Sequence, residues 1–295
     1  MDKPILLLKH ELIKPIDQAL DRIEEIRQRK INNVDSIILE GLFALGVSSF
    51  ENSISDTLRI LFTHIPDKLD IKSEIISKQY LINGEPLKHA IENKVNSVGY
   101  KNLEDILTYF SKATGIKEDV VTTEELNSLR ELKATRNLLL HNNLIENSFY
   151  LETAGPNMRQ PQGHRRRLEI DQNYLFESLV TLRTILSKFK TELLEKYSDY
   201  TKVNAIKKLF EFIFQTPIMK FENEFEVDEE RDVIGVIKRD SSRRESLSHS
   251  ERFYYDIWVA HSHGDEFQFK NGQFYGLSSK DKFGYFIKHL DLLKT

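Results

Sequence analysis

Between Glu131 and Asn143 the chain reads ELKATRNLLLHNN, and two residues in that run can do chemistry. Arg136 falls among leucines: at about 100° per residue it shares one side of a helix with Leu129, Leu132, Leu139 and Leu140. A core-facing helix puts hydrocarbon at such a position. A guanidinium cannot shed its proton, so burying it calls for a carboxylate, a ring of carbonyls or an anionic ligand. His141 is the second residue. An imidazole can move a proton near neutral pH, and near a helix C-terminus it can also simply complement the dipole. Asn137 lies one turn before His141 on a second face. Arg136 and His141 are about 140° apart around the axis. One ligand meets both only where the long Arg side chain reaches around, or where two copies of the helix face each other.

A misplaced acid answers the misplaced base. Gly46–Phe62 reads GVSSFENSISDTLRILF, with Val47, Phe50, Ile54, Leu58 and Leu61 at helical spacing. Glu51 falls about 40° from Val47 and about 20° from Leu58, inside the same apolar stripe. A buried charge is tolerated only when paired, so Glu51 is expected to meet Arg136. The pair is either purely structural or the support of an active site.

The R-N-x-x-x-H arrangement of Arg136, Asn137 and His141, near the end of an apolar helix in a helical chain, resembles the signature of the HEPN superfamily. The resemblance covers residues 10–198 and says nothing about 220–295. It implies a mainly α fold, a HEPN-like helical bundle. It also implies the activity of many members, which are metal-independent ribonucleases of toxins, phage-defence proteins and RNA-degrading effectors. On that basis Arg136 and His141 are the catalytic residues. Arg136 holds the phosphate through bidentate, charge-assisted hydrogen bonds. His141 transfers protons as the 2′-hydroxyl of RNA attacks. Asn137 and Glu51 support them. The resemblance further implies a homodimer whose motif helices line a shared cleft, because one Arg and one His are a thin set for one site. No cofactor and no metal are expected. Two other classes stay open: a HEPN-fold binding or scaffolding component in which Arg136 is only paired to Glu51, and a regulatory partner of a nucleotidyltransferase or defence complex. A regulatory or antitoxin protein partner fits either setting.

The chain has 295 residues, 40% hydrophobic and 30% charged, with a net charge of −4 and no cysteine. That composition is globular. The negative balance excludes a surface that traps polyanions everywhere, so RNA contact requires a local basic patch. One exists: Arg159, then His164, Arg165, Arg166 and Arg167, in a segment rich in Gly, Pro and Gln. Should that loop be merely solvated, Lys88, Lys94 and Lys101 come next. Without cysteine there is no disulfide framework or thiolate metal site. No apolar run reads as spanning a bilayer, and the expected location is the cytoplasm. His261, His263 and Asp265 (HSHGD) have the spacing of partial metal ligands on a strand but lack a third convincing partner.

The elements that must hold these residues follow from periodicity and punctuation. Helices are expected over about 10–29, 34–63, 71–81, 86–97, 101–114, 123–143 (the motif helix), 172–196 and 203–214. Ser36, Pro86 and Thr122-Thr123 mark starts, and Gly115 marks a stop. Ser148–Thr153 alternates like a strand, with Arg166–Ile170 as an antiparallel partner across the 154–165 loop, the basic loop being counted over 154–167. The helical domain is expected to span 1–218, and 219–295 to form a small α+β extension. That extension is read as a strand within 232–238, a Ser-rich loop at 239–250, a hairpin around Asn271-Gly272 and a final helix over 279–293.

Overall fold

The computed structural model of the protein describes residues 5–29, 35–71, 85–161 and 166–214, with short pieces at 227–228, 230, 233–234 and 245–246. It is mainly helical. The chain divides into two compact units, Lys9–Tyr197, and Met1–Leu8 with Ser198–Thr295. The boundary expected at 218/219 lies outside the described residues; the observed division falls earlier, after Tyr197.

The first unit is built from α1 (Lys9–Gln28), α2 (Ser36–His64), α3 (Pro86–Gly99), α4 (Leu103–Thr114), the motif helix α5 (Thr123–Asn142), α6 (Ser148–Thr153) and α7 (Gln172–Lys196). Helix α2 is the centre, touching α1, α3, α4, α5 and α7. It supplies Phe43, Phe50 and Phe62 to a core completed by Phe110 of α4 and Phe189 of α7, whose rings lie 5.1 Å apart. Among the described residues one helix passes a test of length and composition for crossing a membrane, a test that the core helix of a soluble protein also passes. It is α2, and 44% of its most apolar stretch is buried within the fold. Core-helix composition produces the same signal as a span, since both demand apolar residues around most of the helix.

Local chemistry sets the helix ends. Thr122 and Glu125 form a reciprocal capping box at the start of α5, with Thr122 N–H donating to Glu125 Oε2 at 2.9 Å and Glu125 N–H to Thr122 Oγ1 at 3.2 Å. Lys188 of α7 donates to the same carboxylate at 2.7 Å, tying the cap to the next layer. Gly115 ends α4 at φ 75°, the left-handed conformation that glycine adopts without a Cβ penalty. At α2, Asp35 rather than Ser36 occupies the N-cap position, and its side chain makes no capping bond.

The strand expected at 148–153 is instead the short helix α6. Asn147 caps it, accepting from Tyr150 N–H at 2.9 Å. Tyr150 is buried while Phe149 and Leu151 are exposed. A single inward residue among six satisfies a two-residue period and a 3.6-residue period equally, so alternation over that length does not discriminate. The antiparallel pairing falls one step earlier, between 144–146 and 166–168: Glu146 N–H donates to Arg166 O at 3.0 Å and Leu168 N–H to Leu144 O at 2.9 Å. It amounts to the single bridge Ile145–Arg167.

The second unit contains α8 (Lys202–Phe214) and an antiparallel pair, β1 (Val227–Asp228) with β2 (Val233–Ile234), the latter inside the strand expected at 232–238. The helix expected at 71–81, nearly all of the 239–250 loop, the HSHGD residues, the 271–272 hairpin and the final helix lie outside the described residues.

Gly46 marks the contact of α2 with α7. A methyl group there would come within 2.8 Å of Leu179 Cδ2 in the core. Gly46→Val should therefore destabilise the protein by about 1–3 kcal/mol through overpacking, despite its better helix propensity. A urea midpoint equal to wild type would show that α7 can shift at no cost.

Candidate functional site

Five core positions of α5 point inward: Leu129, Leu132, Ala134, Thr135 and Leu138, joined by Glu131. This arc is rotated from the one expected. Leu139 is half-buried, and Leu140 is 57% exposed. Arg136 consequently sits on the flank of the buried arc rather than in its middle.

On that flank the structure brings Glu51 and Arg136 together: an Arg136 guanidinium N–H donates to Glu51 Oε2. Lys133, one turn before Arg136, places its ammonium 3.4 Å from Glu51 Oε1. Each oxygen of the carboxylate thus serves one cation. The three side chains are 18–23% exposed, so the cluster lies at the α2–α5 seam with one edge open to solvent. Burial pulls the proton affinity of both Lys133 and Arg136 below the usual range. Arg136 Nε is buried and has no hydrogen-bond partner among the described residues. Two positive charges face one negative charge.

His141 stands in the last turn of α5 and is exposed, with no hydrogen bond or ion pair among the described residues; Asn137 is half-buried. The helix closes immediately beyond. Asn143 and Leu144 both take left-handed backbone angles, φ 48° and 61°. Leu144 N–H donates back to Leu138 O at 3.2 Å, and its side chain is fully buried. Left-handed geometry at a leucine costs about 1–2 kcal/mol, which the buried side chain and the pairing with Leu168 offset.

The described arginines of the basic segment, Arg159, Arg166 and Arg167, each have a partner within the fold. Arg159 lays its guanidinium over the Tyr174 ring, 3.6 Å from the centroid, and donates to the Glu169 carbonyl. Arg167 donates to Glu40 Oε1 at 2.6 Å and to the Asn143 carbonyl at 3.2 Å. Of the described arginines here Arg166 is the well exposed one, at 67%, and it pairs with Glu146. Glu40 and Glu146, on neighbouring elements, pair with Arg167 and Arg166, while Arg159 is held by an aromatic ring and a backbone carbonyl. His164 and Arg165 lie outside the described residues.

Sequence reasoning missed Glu131. Its carboxylate is buried at 4% exposure, with no cation paired to it among the described residues. Oε1 accepts from Thr135 at 2.5 Å and Tyr150 at 3.1 Å, and Oε2 accepts from Tyr174 at 2.7 Å. The Tyr150 oxygen in turn accepts from Arg159 N–H at 3.1 Å. Hydroxyl donors replace the positive charge that a buried acid usually requires. A helical wheel shows Glu131 between Thr135 and Leu138, which was the available signal. The tyrosines come from other elements and carry no local mark.

Among the described residues no cluster of His, Asp and Glu is arranged to hold a metal ion. No protein-family model matches the chain, and no curated protein or solved structure matches it.

Glu131→Ala should cost about 3–5 kcal/mol, since it strands three buried hydroxyls and opens a cavity. A loss below about 1 kcal/mol in chemical unfolding would show that the carboxylate is dispensable. The tyrosines give a pH signature. Burial, helped by the Glu131 charge, pushes the Tyr150 hydroxyl up to about 12, and Tyr174 moves the same way for the same reasons. The folded state holds these protons more tightly than the unfolded chain, in which tyrosine titrates near about 10. Their contribution is full below about pH 10 and is lost as the pH rises toward about 12. Tyr150→Phe should flatten that alkaline decline in urea midpoints; a decline as steep as wild type would remove Tyr150 as its source.

Proposed function

We propose that the chain is a metal-independent endoribonuclease that cleaves RNA through attack of the 2′-hydroxyl. The observation that carries this reading is the placement of Arg136. A carboxylate on a neighbouring helix holds it at a seam open to solvent, and the exposed His141 lies five residues further along the same helix.

In this reading Arg136 binds the scissile phosphate and balances the charge of the phosphorane. One imidazole takes the 2′-hydroxyl proton as the oxygen bonds to phosphorus. A second gives a proton to the departing 5′-oxygen. The products are a 2′,3′-cyclic phosphate and a 5′-hydroxyl. A single His141 does not fill both roles at once, so two copies face each other across their motif helices. Exposed Leu140, with Ile37, Ile38 and Leu45 of α2, offers apolar surface for that pairing. Glu51 aims the guanidinium and Asn137 supports the motif helix. Of the basic segment, Arg166 with His164 and Arg165 remains to contact RNA backbone, Arg159 and Arg167 being committed inside the fold. A cytoplasmic toxin or anti-phage defence protein, controlled by a regulatory or antitoxin partner, is the setting this activity fits.

A second reading rests on the same pair. Because Glu51 already engages Arg136, the fold is also compatible with a HEPN-type binding or regulatory subunit that cleaves nothing.

Purified protein incubated with total RNA in EDTA separates the two. Arg136→Ala and His141→Ala should each abolish cleavage while the circular dichroism spectrum and thermal midpoint persist. RNA carrying a 2′-deoxy nucleotide at the cut should resist. Activity within about threefold of wild type in either variant would remove that residue from the chemistry. A wild-type protein with no cleavage at all would favour the binding subunit.

A further inference from the structure

Lys133 is outside the R-N-x-x-x-H pattern, yet it stands one turn from Arg136 and touches the opposite oxygen of the same carboxylate. No other carboxylate lies within ion-pair distance of either cation among the described residues. Two cations against one carboxylate leave a single surplus positive charge. A partly desolvated surplus is unfavourable by itself and favourable toward an anion. The Lys133 ammonium protons not directed at Glu51 are free donors at the open edge of the cluster, and the buried, unpartnered Arg136 Nε adds to the uncompensated positive charge behind them.

We propose that Lys133 is a second phosphate-holding residue, so that Lys133 and Arg136, spaced by Glu51, seat one RNA phosphodiester. This rests on the ribonuclease reading above and deepens it. The charges match: a diester carries one negative charge, which cancels the surplus, whereas a free phosphate near its dianionic state would overshoot. Glu51 acts as the spacer and as a competitor. It keeps two like charges together in the empty site and limits how tightly any anion is held, which suits a site that must release its product.

The test uses full-length protein and a single-stranded RNA carrying 2′-O-methyl groups throughout, which binds without being cut. Affinity is read by fluorescence anisotropy over a salt series. Lys133→Met should weaken binding about tenfold, the scale of one charge-assisted hydrogen bond, and reduce the salt slope by up to about 0.7. Lys133→Arg should restore most of the affinity. Glu51→Gln should tighten binding, because it frees both cations. A residue serving only to aim Arg136 would weaken binding when neutralised, so the direction of that change is the signature.

Unchanged affinity in Lys133→Met, or weakened affinity in a folded Glu51→Gln, overturns the proposal. So does inorganic phosphate that displaces the oligonucleotide at an equal concentration of phosphate groups, which would mark a free-phosphate site. The two readings fail separately. RNA cleavage that needs His141, with binding indifferent to Lys133, sinks the phosphate seat alone. Binding lost in Lys133→Met by a protein that cleaves nothing sinks the nuclease alone.

Discussion

A carboxylate in the core of a helical unit must be met by donors or removed, and Glu131 is met by three hydroxyls from three elements. That requirement sets the rotation of the motif helix. With Glu131, Thr135 and Leu138 directed inward, Arg136 and Lys133 fall on the opposite side of the helix, where they meet Glu51 of α2, while Leu140 and His141, further along, are exposed. The same hydroxyls fix neighbours: Tyr150 anchors α6, Tyr174 anchors the start of α7, and Arg159 closes over Tyr174. The candidate site is therefore positioned from behind, by groups that never reach its surface.

The two acids that serve α5 behave oppositely. Glu131 is buried and has only neutral donors, so its charge is spread over short hydrogen bonds in a low-dielectric setting, where each is strong and each loss is costly. Glu51 is part-exposed and has two cations. At such a seam the effective dielectric is nearer about 20 than about 4, so attraction is moderate and exchangeable. Lys133 and Arg136 repel each other at i, i+3 by a few tenths of a kcal/mol on an isolated helix, and the shared carboxylate offsets that. One acid makes a rigid joint. The other makes an electrostatic balance that a ligand can tip.

Among the described residues, the longer helices and their order were legible from periodicity and punctuation. The Thr122 and Gly115 signals and the Pro86 start are local, and helices are local structures. The meeting of Glu51 with Arg136, 85 residues apart, was legible too, because two stripes each contained one charge with no reason to be there. Three things were hidden. The rotation of α5 depends on tyrosines contributed by other elements. The helical state of 148–153 depends on Asn147 and on Tyr150 finding a buried acceptor, while six residues of alternation leave the period undetermined. The fate of the basic segment depends on Glu40 and Glu146, neither of which is near it in sequence.

The arginine run shows how a dense local charge can be structural. Arg167 joins Glu40 of α2 to the Asn143 carbonyl just past the end of α5, where the backbone has turned left-handed through Asn143 and Leu144. A helix C-terminus carries partial negative charge on its unpaired carbonyls, and a guanidinium there neutralises it. Leu144, fully buried, pins the turn, while the 144–146 and 166–168 segments pair across it. The last turn of α5, which carries His141, is thereby clamped on its C-terminal side by backbone pairing and by Arg167, as Glu131 and the Glu51 cluster clamp its middle. An exposed imidazole with no partner among the described residues owes its position there to the helix beneath it. Loosening the Arg167 contact would therefore displace His141 without touching it, and the effect would be felt at the end of the helix rather than at Arg136.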